Sequence, residues 1–153
     1  LYFKDCYIDG TTDFIFGPST ALFENCMIHS KRNSYVTAAS TPKEAKYGYI
    51  FKHCKLTAEP GVDKVYLGRP WRPYAYTLFI ECELGKHIVP AGWHNWDKQS
   101  NEETARYMEY KNTGEGANVS ERVAWSKQLT KKEAEAVTVD AIFGTQSNWN
   151  PID

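Results

Sequence analysis

The chain has 153 residues, 42% of them hydrophobic, which is enough for one domain with a buried core. Its 18 lysines and arginines nearly balance 19 aspartates and glutamates, and the net charge of -1 gives no indication of a nucleic-acid partner. No apolar run approaches the roughly 20 residues of a membrane-spanning helix, and no signal peptide is visible. We therefore expect neither a nucleic-acid nor a membrane partner.

The first residues already have the composition of a strand. Leu1, Tyr2 and Phe3 open the chain without an initiator methionine or a polar leader, so we expect the chain to be part of a longer protein. Residues 10–17 follow, with the sequence Gly-Thr-Thr-Asp-Phe-Ile-Phe-Gly. The aromatic and β-branched run after Asp13 is typical of a strand, and this places the carboxylate at the edge of a sheet. Asp is also a favoured turn residue, so a purely structural role is the alternative.

A four-residue frame that begins with Phe and ends with Cys recurs along the first half of the chain. The cysteines follow one another at spacings of 20, 28 and 28 residues, at Cys6, Cys26, Cys54 and Cys82. Each has a Phe three positions before it and an Ile or Leu two positions after it. Such spacings lie in the range of solenoid coils. The repeat therefore predicts stacked coils over residues 1–84.

The repeat also predicts a corner within each coil. On a straight strand, Phe and Cys three positions apart face opposite sides. Both can point inward only if the backbone turns between them, which is where Asp5, Asn25 and His53 stand. A parallel β-helix satisfies this demand by stacking identical side chains about 4.8 Å apart. The cysteines are then expected to form an interior ladder of free thiols, with two disulfides or a metal site as the alternatives.

The segments between and after the coils differ in character. Residues 40–47 and 58–63 carry turn formers and should bulge outward as loops. Past residue 84 the repeat stops, and we expect residues 85–153 of the same single domain to pack on the outside of the coils. Strand-like pieces at residues 107–110 and 122–125 are predicted there. Thr130 and Glu133 form a capping box, which predicts a short helix from Lys131 to about Val137.

A second stretch, Leu67-Gly68-Arg69-Pro70-Trp71, carries an arginine. Arg69 precedes Cys82 by thirteen residues, as Asp13 precedes Cys26, which predicts comparable positions on coils two rungs apart. Ala38 and Ala39 on the intervening coil would leave space for the arginine side chain to reach the carboxylate. A guanidinium favours an ionised carboxylate and can hold it bidentately, and an oriented carboxylate can act as a nucleophile. A solvated arginine at a turn is the alternative.

Residues 10–17 and 67–71 together resemble two signature blocks of the pectin methylesterases. Residues 90–93 and 122–125 are also similar to family segments. The resemblance implies an all-β, right-handed parallel β-helix that hydrolyses methyl esters of polygalacturonate (pectin) without a metal or cofactor. By resemblance, Asp13 corresponds to the nucleophile and Arg69 to the residue that holds it. The resemblance further implies substrate contacts by Phe16, Trp71, Thr12, Tyr2 and Trp93.

The resemblance also implies a missing part. In the family, a general acid and an oxyanion donor come from a block that ends Gln-Asp-Thr-Leu-Tyr, and Leu1 and Tyr2 are similar to its last two residues. We therefore expect a C-terminal portion that is inactive or severely impaired alone and whose first coil exposes a surface for end-to-end self-association. The substrate suggests an extracellular or periplasmic location.

Other function classes remain as alternatives. A non-catalytic carbohydrate-binding β-helix would keep the tryptophans without needing contact between Asp13 and Arg69. A pectate lyase would need a calcium-binding acidic cluster, and a glycosidase would need paired carboxylates; neither spacing is present. The Gly-x-Ser-x-Gly elbow of serine hydrolases is missing as well. The histidines are scattered, which argues against a metal site.

Overall fold

The computed structural model describes residues 1–144, which wind into a parallel β-helix with three sheets. The six-stranded sheet contains β1 (Tyr2–Lys4), β4 (Ala21–Glu24), β7 (Tyr49–Lys52), β10 (Tyr76–Ile80), β12 (Arg106–Tyr110) and β13 (Lys127–Gln128). The four-stranded sheet contains β2 (Tyr7–Gly10), β5 (Met27–Ser30), β8 (Lys55–Ala58) and β11 (Glu83–Leu84). The three-stranded sheet contains β3 (Ile15–Gly17), β6 (Tyr35–Ala39) and β9 (Tyr66–Gly68). The β-helix predicted from the repeat is confirmed.

The predicted corners are present between the first two sheets. Asp5, Asn25 and His53 have φ angles of 55°, 53° and 55°, in the left-handed region. Glu81 takes the same position in the fourth coil with φ 49°. This conformation turns the chain between each Phe and its Cys, so that both side chains reach the interior.

The interior side chains form two rows. Phe3, Phe23, Phe51 and Phe79 stack face to face, with ring centroids 4.9, 4.6 and 4.5 Å apart. All four cysteines are free thiols, as predicted. The thiols of Cys26, Cys54 and Cys82 donate to the carbonyl of the Phe one coil earlier, at 3.3–3.4 Å. These bonds satisfy the buried thiols and tie each coil to its neighbour.

The β-helix continues beyond the end of the sequence repeat. Strand β12 pairs in parallel with β10 and places Glu109 opposite Phe79, so a carboxylate replaces the stacked ring. The Glu109 side chain is buried and accepts two hydrogen bonds from Arg122, at 2.9 and 3.1 Å. The remaining donors of Arg122 reach the carbonyls of residues 89, 90 and 116. This ion pair closes the C-terminal end of the core.

The part of the tail that carries the last two helices covers the outer face of the six-stranded sheet. Helix α1 is Asn101–Thr104, α2 is Lys131–Glu135 and α3 is Val139–Phe143, and 3-10 turns lie at Glu115–Ala117 and Val119–Glu121. Val137, between α2 and α3, packs with Leu22, Ile50 and Leu78. Both bonds of the predicted capping box at Thr130 are present. The predicted strand at 107–110 is confirmed, whereas residues 122–125 form turns because Arg122 is drawn inward by Glu109.

Two loops of the coils lie where the sequence predicted them. The predicted bulges are present as the connections after β6 and after β8. The part of the predicted tail that follows residue 144 lies outside the described residues. In residues 1–144, no helix has the length and apolar character that crossing a bilayer requires.

The corner conformation can be tested at His53. Glycine adopts the left-handed region freely, whereas alanine is strained there by about 1 kcal/mol. We expect His53→Ala to have a lower free energy of unfolding than His53→Gly by about that amount. Both variants remove the imidazole, so urea unfolding of the pair isolates the backbone term. An alanine variant as stable as the glycine variant would contradict this account.

The buried ion pair makes a second prediction. Arg122→Met leaves an uncompensated carboxylate in the core and should lower the free energy of unfolding by about 3–5 kcal/mol. Lys55→Met, which breaks the exposed pair with Glu83, should change it by less than about 1 kcal/mol. Denaturant unfolding of both variants provides the comparison. Adding Glu109→Leu to Arg122→Met should recover most of the loss, and no recovery would refute the electrostatic explanation.

Candidate active site

Asp13 lies on the connection between β2 and β3, in a conformation that its neighbours impose. Its φ is 48°, and its backbone N–H donates to the carbonyl of Tyr35 on the next coil at 2.9 Å. Gly10 is needed upstream, since a Cβ there would lie 2.3 Å from the Cβ of Phe14. Phe14 therefore folds back against the chain, and the turn presents the Asp13 carboxylate on the outside of the β-helix.

Arg69 follows β9 directly, two coils further along. Its backbone N–H donates to the carbonyl of Thr37 at 3.0 Å. The strand before it approaches the neighbouring coil closely, because a Cβ on Gly68 would lie 2.2 Å from the Thr37 hydroxyl. The guanidinium then meets Asp13 through two bonds, Nε to Oδ1 at 3.1 Å and Nη2 to Oδ2 at 2.6 Å. Each side chain is 19% exposed, so the pair is shielded but reachable.

The two residues do not occupy equivalent rungs of the sheet. Ile15 pairs with Thr37, and Thr37 pairs with Gly68, so Arg69 is level with Ala38 and lies three positions beyond the level of Asp13. The arginine side chain therefore runs back across the middle coil. The small side chain of Ala38 lines the cleft there, whereas Ala39 is fully buried.

Exposed rings surround this pair. The cleft has a volume of about 370 Å³ and is lined by Thr12, Asp13, Phe16, Ala38, Trp71 and Trp96. Phe16 is 62% exposed and Trp71 is 40% exposed, and their rings meet edge to face with centroids 5.9 Å apart. Exposed aromatic rings beside a fixed carboxylate suit a ligand with both apolar and polar surfaces, such as a sugar ring.

Two of the residues expected to contact substrate lie elsewhere. Trp93 is buried, stacks on Tyr107 at 4.3 Å and donates to Glu109, because it pairs with Gly68 at an inward position of the coil. Tyr2 lies in the six-stranded sheet, where its hydroxyl donates to Glu24 at 2.6 Å. Burial and that hydrogen bond raise the pKa of Tyr2 to about 12. Neither residue lines the cleft.

Sequence reasoning did not single out Tyr35. Its ring centroid lies 3.9 Å from the Arg69 guanidinium carbon, and the ring of Trp96 lies 3.7 Å from the same carbon. Nothing in the repeat marks Tyr35, which stands well before its own Cys. The one feature that could have marked Tyr35 is its pairing with Tyr66 at the same level of the sheet. That pairing can be recognised only when the register of the coils is known.

A larger cavity lies at the open end of the first coil. Its volume is about 470 Å³, and its lining is mostly apolar and includes Leu1, Phe3, Ile8 and Phe23. It exposes the interior of the β-helix and lacks a carboxylate or a basic side chain among its lining residues. The cleft at Asp13 is therefore the better candidate for catalysis, although it is smaller. Within residues 1–144, no three His, Cys, Asp or Glu side chains are grouped to hold a metal ion.

The family model described as Pectinesterase matches residues 1–146. Pectinesterase 31 of Arabidopsis thaliana is 43% identical over 134 residues, which cover 87% of this chain and 42% of that protein. Putative pectinesterase 11 of the same plant is also 43% identical, over 87% of this chain and 38% of that protein. The chain thus spans less than half the length of these relatives.

Solved structures agree with these matches. A pectin methylesterase from carrot superposes with a TM-score of 0.88 at 35% identity, over 95% of this chain and 50% of that chain. One from Aspergillus niger gives a TM-score of 0.85 at 29% identity, over 99% of this chain and 50% of that chain. A pectin methylesterase in complex with a hexasaccharide gives 0.82 at 30% identity, over 98% and 52%. The parallel β-helix is therefore shared across the match.

Proposed function

Because the chain belongs to the pectinesterase family, we propose that it carries the nucleophile half of a catalytic cleft that hydrolyses methyl esters of polygalacturonate. The observation that supports this most strongly is the bidentate contact of Arg69 with Asp13 on an open face of the β-helix. Within residues 1–144, side-chain donors to Asp13 come from Arg69 alone, which leaves lone pairs on both carboxylate oxygens directed into the cleft.

In the proposed reaction, a carboxylate oxygen of Asp13 attacks the ester carbonyl carbon of a methylated galacturonate unit. The tetrahedral oxyanion collapses, the bond to the methoxy oxygen breaks, and methanol leaves with a proton from a general acid. The product is an anhydride between Asp13 and the sugar carboxyl. Water then gives a proton to the group that acted as the acid and adds to the sugar acyl carbon, which breaks the bond to the Asp13 oxygen, releases the galacturonate and regenerates the Asp13 carboxylate.

Arg69 has two opposing effects on this chemistry. It stabilises the negative charge on Asp13 that attack on the ester consumes, which by itself slows the attack. It also fixes the plane of the carboxylate, so that one lone pair of each oxygen is occupied and the other is aimed outward. Orientation of a reacting group can contribute several orders of magnitude to a rate, which we expect to outweigh this stabilisation of the unreacted carboxylate.

We propose that Phe16, Trp71 and Thr12 contact the polysaccharide. The two exposed rings flank the carboxylate and can cover the apolar faces of sugar units. Thr12 lines both the main cleft and a smaller pocket that contains Lys64. The ammonium group of Lys64 can form an ion pair with a free carboxylate of the polymer. Non-catalytic carbohydrate binding would use the same rings. The Arg69 contact favours hydrolysis, since sugar binding does not need a held carboxylate.

Among the described residues that line the cleft, no second carboxyl group is present to serve as the general acid. Asp13 is the only carboxylate among the residues that line it. Asp5 accepts a hydrogen bond from Asn25 at a corner, and Asp9 pairs with Lys31 on the outer surface. We therefore propose that residues outside this chain complete the site and that residues 1–153 alone hydrolyse pectin poorly. A location outside the cytoplasm follows from the proposed substrate.

The nucleophile assignment is tested by methanol release from methylated pectin. In the full-length protein, Asp13→Asn should lower kcat by at least about 10³-fold, because an amide cannot form the anhydride. Asp9→Asn is the matched control, since it removes a carboxylate from the same coil outside the cleft, and it should retain activity. An Asp13→Asn protein with the parent's rate would eliminate the proposal that Asp13 is the nucleophile. Full activity of residues 1–153 would contradict the proposal that the general acid lies outside this chain.

The open end of the first coil supports a proposal about association. Leu1 and Tyr7 are 63% and 58% exposed there, beside the apolar cavity. We expect isolated residues 1–153 to self-associate through this end as concentration rises. Sedimentation velocity should show dimers or larger species that Leu1→Glu with Tyr7→Glu reduces. A monomer at every accessible concentration would contradict this expectation.

A further inference from the structure

The guanidinium of Arg69 is enclosed on both faces as well as at its edge. Its central carbon lies 3.9 Å from the Tyr35 ring centroid and 3.7 Å from the Trp96 ring centroid. Stacked carbon atoms need about 3.5 Å of separation, so two rings this close to one atom cannot share a face. The rings therefore lie on opposite faces, and Asp13 occupies the edge.

The Tyr35 ring is itself firmly placed. Tyr35 opens β6, and its carbonyl accepts the backbone N–H of Asp13 at 2.9 Å. On its other contacts the ring stacks with Tyr66 at 5.3 Å and meets His94 at 5.5 Å. Tyr35 thus binds the backbone of the proposed nucleophile and supports the side chain of the arginine that holds it.

The second ring depends on a strained turn. Trp96 has a φ of 59°, and its N–H donates to Nδ1 of His94 at 2.9 Å. The side chain of Trp96 also lines the cleft, whereas Tyr35 lines the smaller pocket next to it. Trp96 can therefore contact the substrate in the cleft and the arginine at the same time.

We infer that Tyr35 is a positioning residue for the esterase reaction, acting through Arg69; this inference rests on the proposed function of the cleft. Arg69 starts three positions beyond the level of Asp13 and must run back across the middle coil. A free arginine side chain has many rotamers, and only a few bring Nε and Nη2 to the two carboxylate oxygens. The Tyr35 ring removes the others by filling the space beneath the guanidinium, and its π face attracts the cation.

The chemistry of the contact separates this role from ordinary packing. An aromatic face attracts a cation, whereas an aliphatic side chain of similar size does not. Phenylalanine keeps that face and lacks only the hydroxyl. Tyr35→Phe should therefore behave like the parent, and Tyr35→Leu should release the arginine.

A direct readout needs no catalysis. In proton NMR spectra of the 153-residue chain, ring currents from both faces should shift the Arg69 Hε resonance upfield. The resonance is assigned by its disappearance in Arg69→Lys. We expect the shift to persist in Tyr35→Phe and to shrink by about half in Tyr35→Leu, since one of two rings is lost. Trp96→Leu is the second variant and should give a comparable change if Tyr35→Leu fails to fold. An unchanged Hε resonance in folded Tyr35→Leu would overturn the inference. If Tyr35→Leu does not fold, an unchanged resonance in Trp96→Leu would overturn it, because the rings would then not be stacked on the guanidinium.

Kinetics of the full-length protein provide the second readout. Tyr35→Leu should lower kcat by about 10- to 100-fold with KM changed little, because misplacement of a reacting group costs rate before binding. Tyr35→Phe should restore kcat, and Tyr35→Leu should add nothing in an Arg69→Met background. A rise in KM alone would refute a positioning role. If Asp13→Asn stops turnover and Tyr35→Leu changes neither readout, only this inference fails; an active Asp13→Asn protein removes the proposed function itself.

Discussion

The fixed register between successive coils is the constraint on which the cleft depends. Each coil turns at a left-handed corner, and the thiols of Cys26, Cys54 and Cys82 each bond to the coil before them. A slip by one residue would move every inward side chain outside, so the register is strongly specified. Asp13, Tyr35 and Arg69 are distant in sequence, yet this register brings them into one contact.

The Phe and Cys frame allowed much of the fold to be predicted. It marked the corners, because two inward side chains three positions apart demand a turn between them. It could not mark the next coil, where Glu109 stands level with Phe79 and the interior chemistry changes from ring stacking to an ion pair. A glutamate in a sequence does not show whether it is buried or exposed. The burial of Glu109 is explained only by its ion pair with Arg122, which the sequence did not predict.

The candidate site was predictable in part, for a related reason. Equal distances from the cysteines led to Asp13 and Arg69, and the two side chains are in contact. The levels differ by three positions because the connections after β3 and β9 have different lengths, and a long arginine side chain absorbs the difference. Whether the Trp93 side chain points into or out of the coil was not predictable, because its segment lacks the repeat. Its pairing with Gly68 turns it into the core.

Two bidentate pairs of arginine and carboxylate occur in the described chain, and their surroundings give them different capacities. The side chains of Glu109 and Arg122 are 1% and 3% exposed. Glu109 accepts a further hydrogen bond from Trp93, and Arg122 donates to three backbone carbonyls. That pair is closed to solvent and suited to holding elements together. Asp13 and Arg69 are 19% exposed, with rings rather than hydrogen-bonding groups against the guanidinium faces. In the proposed reaction, the rings hold the cation without competing for the carboxylate oxygens, so the orientation of Asp13 is fixed while its lone pairs remain open to the ester carbon. The difference between the structural ion pair and the one we propose to be reactive therefore lies in what surrounds the arginine.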